Sequence, residues 1–259
     1  MSLRDQVLRV LSKHETERNP DHSHDPRRRH RSINGDAAIQ EEERNQGGTI
    51  ENPGEIIKSV KDKLVGDANI VIISNGEGYN FRVGDSEFIA VGDFDSQSER
   101  VRLFNGAFKD ETVLKGVVAH ELSHLIFSRV QKKLSEEMSA VNRLVMDYTE
   151  NSDPFAKNGV MSAEGTLRDE YKKRFPYYDA LYDYFYGKHY KELKEKDGIT
   201  PYSASYWKAH EQGNGSWDTA INETLAEISR LKAQGIKKGI PNIWRGFYRE
   251  MNSLYKKTK

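Results

Sequence analysis

The sequence predicts an α+β fold, and three observations carry that expectation. A short amphipathic helical pattern starts near residue 55. Four strand-like runs, each bounded by turn residues, follow between residues 69 and 104. From Asp110 the pattern turns helical and stays so. A block of strands followed by a block of helices, without strict alternation, is the order of an α+β domain. The expected architecture is a small, mostly antiparallel sheet followed by a helical bundle that carries the active-site helices.

Each element has a local reason. Ile56, Ile57, Val60 and Leu64 fall on one helical face, so a helix is expected over Glu55 to Val65, stopped by Gly66. The strand-like runs are Asn69–Ser74, Tyr79–Val83, Glu87–Val91 and Arg100–Phe104, separated by the turn signals SNGEG, VGDS and VGDFDS. Helices are expected at about 110–133, 135–150, 164–174, 177–196, 217–234 and 242–256. No internal repeat is visible.

The N-terminal portion reads differently. Leu3, Val7, Val10 and Leu11 make an amphipathic helix over residues 1–15, a candidate docking point for a protein partner. Residues 16–53 hold almost no large apolar side chain and cannot bury enough surface to offset their chain entropy, so they read as a flexible polar linker. Residues 54–259 then form the compact domain. Within the linker, Arg27, Arg28, Arg29 and Arg31 make a basic run. Glu41, Glu42 and Glu43 follow it, and no aromatic residue interleaves it for base stacking, so it reads as solvated chain. His22 and His24, with no folded scaffold around them, are treated the same way.

Composition narrows the function classes. Lys+Arg and Asp+Glu are both 40 in 259 residues, so no basic excess marks a dedicated nucleic-acid binder. Charged residues are 31%, above the usual ~25%, which fits a modest core with long solvated segments. No apolar run approaches the ~20 residues of a membrane span. The N-terminus lacks a signal peptide's apolar centre. A cytoplasmic protein, or one exported without a cleaved signal, is expected. Cysteine is absent, so a transition-metal site must use His and carboxylates.

One stretch carries chemistry: LKGVVAHELSHLIF, with His120, Glu121 and His124 in an H-E-x-x-H pattern. Residues i and i+4 lie one turn apart on one helix face, so two imidazoles can reach one ion. Glu121 stands on the same side, within reach of a water on that ion, whose pKa the metal lowers to about 7. Leu114, Val117, Val118, Leu122 and Leu125 would bury the helix and hold its ligands still.

This segment resembles the zincin metallopeptidases over the helix and its preceding strand. The resemblance implies Zn2+ held by His120 and His124, with Glu121 as general base and a polypeptide as substrate. It also implies that the Arg100–Phe104 strand is the sheet edge that aligns an extended substrate. A third ligand is needed. The metzincin pattern requires Gly and His or Asp where this chain has Phe127 and Val130, so that subclass is excluded.

The run Asn222-Glu223-Thr224-Leu225-Ala226-Glu227 resembles the second motif of the gluzincins. That resemblance implies Glu223 as third ligand and Glu227 as a partner that hydrogen-bonds a ligand His. Asp147, expected on the helix after the zinc helix, is the rival ligand. Tyr202, in ITPYSASYW, is the candidate for stabilising the oxyanion. A Tyr ahead of the ligand Glu is similar to lethal-factor-like toxin and phage-associated zincins, although 21 residues separate the two here. Tyr206 and His210 stand as alternatives. A non-catalytic metal-binding scaffold of the same kind, acting in binding or assembly, is the alternative function.

Overall fold

The computed structural model describes residues 50–258, apart from 74–75, 151–159, 162–165 and 197. The expected helix over 1–15 and nearly all of the expected linker lie outside the described residues.

Helix α1, Pro53–Leu64, opens with proline in its first turn and closes just before Gly66, which takes a positive φ of 76°. Five strands follow: β1 Asn69–Ile73, β2 Tyr79–Val83, β3 Ser86–Ala90, β4 Gly92–Asp95 and β5 Arg100–Phe104. They form two sheets. The first has the order β1-β5-β4, with β1 parallel and β4 antiparallel to β5. The second is the β2-β3 hairpin. The three-stranded sheet is mixed because β1 runs parallel to β5, while the other two described pairings, β4 with β5 and β2 with β3, are antiparallel. The expected edge, Arg100–Phe104, lies in the middle, with β1 and β4 at the two edges.

After a 3-10 turn at Asn105–Phe108 comes α2, Glu111–Glu150, forty residues without a break. The expected interruption near Ser135 does not occur. Neither Gly nor Pro breaks the helix there, Leu134 and Val141 keep its buried stripe going, and Ser139 Oγ donates to the Ser135 carbonyl instead of ending the helix. Among the described residues six helices follow: α3 Asp169–Lys172, α4 Pro176–Phe185, α5 Lys188–Glu195, α6 Pro201–Glu211, α7 Trp217–Ala233 and α8 Asn242–Lys257.

Cα packing divides the chain into two units. The smaller includes Ala140–Phe175, where Met161 and Leu167 form an antiparallel bridge ahead of α3. The larger takes the described residues up to Ser139 and those from Pro176 onward. Its centre is unusual for helices of a small domain. Residues 116–127 of α2 and 220–230 of α7 are buried on every face. Gly116 permits the two helices to approach: a Cβ there would meet Gln234 Nε2 at 2.6 Å and Arg230 Cγ at 3.1 Å. The β2-β3 hairpin closes over α6 through Phe81, Val83, Ala90, Tyr202 and Ala209. Arg129 fastens α2 to three other segments, donating to Glu99, to Asp67 and to the Tyr255 hydroxyl.

Candidate metal centre

The middle of α2 presents His120 and His124 one turn apart, both about 2% exposed or less. The middle of α7 presents Glu223 and Glu227 in the same way, both at 1% or below. Where these helices face each other, Glu223 Oε2 lies 3.4 Å from His120 Nε2 and 3.7 Å from His124 Nε2. The ligand atoms of His120, His124 and Glu223 fall within 4.8 Å of one another, and the three residues form a group that could hold a metal ion.

Hydrogen bonds behind the cluster decide how the imidazoles point. His120 Nδ1 lies 3.1 Å from Glu227 Oε1, and His124 Nδ1 lies 3.0 Å from Asn222 Oδ1. Both partners are acceptors, so both Nδ1 atoms carry the hydrogen and both Nε2 lone pairs turn toward Glu223. With the His120 ring neutral, three acceptor atoms thus converge in a dry space, and His120 Nε2 makes no hydrogen bond there. Such a donor set repels itself unless a cation sits among its members, and this is the physical sense in which the residues fit a metal.

The protonation tendencies agree. Burial alone would lower the pKa of His120, yet the Glu223 and Glu227 carboxylates raise it to about 10. Burial would raise Glu227, yet His120 and Arg230 hold it down at about 2. The cluster calls for positive charge, and a proton on His120 can supply part of it.

Glu227 is heavily engaged. Besides His120 it accepts Arg230 Nε at 2.8 Å, Arg230 Nη2 at 2.9 Å and the Thr200 hydroxyl at 2.7 Å. Sequence reasoning missed Arg230, Thr200 and Asn222. The first sits three residues after Glu227, a spacing at which oppositely charged side chains meet on a helix. Thr200 also caps α6: its side chain accepts from the Ser203 amide, with Pro201 in the first turn. That cap signal, T-P-x-S, was present in the sequence, although α6 was not among the expected helices.

Tyr202, on α6, is fully buried and donates to Glu223 Oε2 at 2.7 Å, with its oxygen 3.0 Å from the Tyr206 hydroxyl. It is brought to the cluster, but as a partner of the third carboxylate. His210 is not brought there; its ring contacts the Gly215 carbonyl at 3.2 Å. Glu121 is 1% exposed and points toward the start of β4, where a Cβ on Gly92 would lie 3.0 Å from its Oε1. The ring of Phe94, also on β4, stacks on His124 at 6.5 Å. Asp147 lies on the same uninterrupted α2 as His124, with no turn to fold it back, and its side chain is outside the description. Glu137 has a structural task, accepting the Tyr177 and Tyr178 amides at the start of α4.

A cleft of about 300 Å³ opens beside His124. Phe94, Phe127 and Asn222 form its inner wall, and Ser96, Gln131 and Asp218 add polar groups. The cluster therefore has a neighbouring space large enough for a peptide side chain. No protein-family model, curated protein or solved structure matches this chain.

Proposed function

We propose that the chain is a zinc-dependent metallopeptidase of the gluzincin kind. The observation that carries this reading is the convergence of His120, His124 and Glu223 from two buried helices, with Glu121 beside His120 and a cleft beside His124. Two imidazoles and one carboxylate are the ligand set of catalytic zinc sites that keep a coordination position open. Zinc there would supply Lewis acidity, acidifying a coordinated water and polarising the scissile carbonyl.

The remaining work belongs to the protein. Glu121 takes the proton of the attacking water and returns it to the leaving amine. Glu227 and Asn222 hold the tautomers of His120 and His124. Tyr202 orients Glu223 through its hydroxyl. Among the described residues no second strand pairs with β4, and an extended peptide would pair with its backbone and pass over Glu121. Rigid support from α2 and α7 keeps these groups within the tolerance that catalysis needs.

The test begins with elemental analysis of the purified protein, which should find about one zinc per chain, lost in His120→Ala and Glu223→Ala. Cleavage of unfolded casein should then stop with a chelator, return with zinc, and vanish in Glu121→Gln while zinc content stays unchanged. Full activity in Glu121→Gln would overturn the base role. Bound zinc with no hydrolysis in the unaltered protein would overturn the peptidase reading in favour of a holding role for the metal.

A further inference from the structure

A second cavity, of about 430 Å³, lies along the end of α7, the following loop and the start of α8. Its floor is Ile228 and Ile240, and its walls carry Lys232, Lys237, Arg245 and Arg249. No acidic side chain lines it. The overall charge balance of the sequence conceals this concentration, because the acids that offset it lie elsewhere.

We propose that this basin is an anion site that takes a compact polyphosphate group. Four positive charges facing one small volume repel each other, and a ligand with several negative charges close together relieves that repulsion. Lys232 feels it already: burial first, then Arg249, Arg245 and Lys237, depress its pKa. The lysine places its ammonium over the Tyr248 ring at 4.2 Å, and the Arg245 guanidinium donates to the Lys237 carbonyl at 3.4 Å. These are contacts a phosphate can replace or share.

The residue types favour phosphate over carboxylate. Arg245 and Arg249 offer planar forks that match two phosphate oxygens at once, while Lys232 and Lys237 serve as point charges. A polyphosphate places its charges within a few bonds of one another, whereas an acidic peptide spreads one charge over each ~3.3 Å of chain. The start of α8 at Asn242, which no side chain caps, adds the positive end of a sixteen-residue helix on the same side. Ile228 and Ile240 leave an apolar floor for the organic part of a phosphate ester.

The site is independent of the metal, so the experiment uses full-length protein stripped of metal, which also prevents chelation from imitating binding. Sodium tripolyphosphate, titrated by calorimetry at constant ionic strength, should bind one per chain. Lys232→Gln/Arg249→Gln should weaken it at least about ten-fold, as two charge-assisted contacts are lost, with circular dichroism and melting temperature unchanged. A control pair on α1, Lys58→Gln/Lys63→Gln, should leave binding as it was.

Vesicles of phosphatidylcholine with or without phosphatidylinositol bisphosphate separate the two sources. Vesicle binding that needs the phosphoinositide and is lost in the basin variant assigns the phosphate to a lipid headgroup. Tripolyphosphate binding without vesicle binding assigns it to a soluble ligand. Absence of both, equal loss in the control pair, or tighter binding of polyglutamate of matched charge would overturn the proposal. None of these outcomes depends on whether the chain hydrolyses peptides.

Discussion

His120 Nδ1 and Glu227 Oε1, 107 residues apart in the chain, lie 3.1 Å from each other in a place no solvent reaches. Arg230 donates to both oxygens of the same carboxylate, sharing Oε1 with His120. Glu227 is therefore shared between a candidate ligand and a buried cation. Glu227→Gln should lower zinc affinity about 10- to 100-fold, measured by competition with a chromogenic chelator. It should also cost about 3–5 kcal/mol of stability, because Arg230 is left buried without its counter-charge. Adding Arg230→Met should restore most of the stability and none of the affinity, a separation that urea unfolding beside the chelator assay would reveal.

Tyr202→Phe removes the hydroxyl that donates to Glu223. The aromatic packing against Phe88 and Tyr206 remains. The variant should fold, lose about 1.5–3 kcal/mol for a hydrogen bond to a charged group, and bind zinc several-fold more weakly. If Tyr202 instead stabilises the oxyanion, zinc affinity will be unchanged and kcat alone will fall.

The metal-free protein should show a distinctive pH profile. His120 titrates near 10 in the fold against an ordinary 6.5. A raised pKa contributes stability in full below 6.5, lost as pH climbs toward 10. Glu227 titrates near 2 against an ordinary 4.5, so its contribution is present above 4.5 and lost as pH falls toward 2. From these two groups, the melting temperature of metal-free protein should be highest between about 4.5 and 6.5. Zinc should reverse the alkaline limb, since it binds the deprotonated imidazole. Thermal scans across pH, with zinc and with chelator, check both limbs.

Gly92→Ala would place a methyl 2.7 Å from Val117 Cγ1 and 3.0 Å from Glu121 Oε1. Overpacking of this kind costs about 1–3 kcal/mol. Because no metal ligand is touched, zinc content should stay near one per chain while casein cleavage falls. Parallel loss of zinc would mean that the strand supports the ligands as well as the base.

The sequence made the two central helices legible because their chemistry and burial coincide. A helical stretch rich in Leu and Val, with His120, Glu121 and His124 embedded in it, has few explanations, and the acid pair on α7 repeats the i, i+4 logic. Less legible were elements whose local composition argues against them. β4 carries Gly92, Asp93 and Asp95, all turn formers, and becomes a strand because Asp93 is buried against Arg102 of the next strand. That pairing is a tertiary event with no local signature. The expected helix over 177–196 divides at Gly187, whose missing side chain lets Asp183 approach where a Cβ would lie 2.2 Å from Oδ1. The expected helix over 164–174 keeps only Asp169–Lys172 among the described residues. Arg230 escaped notice because a buried arginine looks like any other charged residue until its partner is placed.

The three clustered side chains come from helices made far apart in time during synthesis. When α2 leaves the ribosome it exposes two imidazoles and a carboxylate but cannot enclose an ion, since Glu223 and its supports Asn222, Glu227 and Arg230 have yet to be translated. Assembly of the candidate centre is thus deferred until α7 has been made. A product terminated before α7 would carry the H-E-x-x-H pattern without Glu223, and so without the group that could hold an ion.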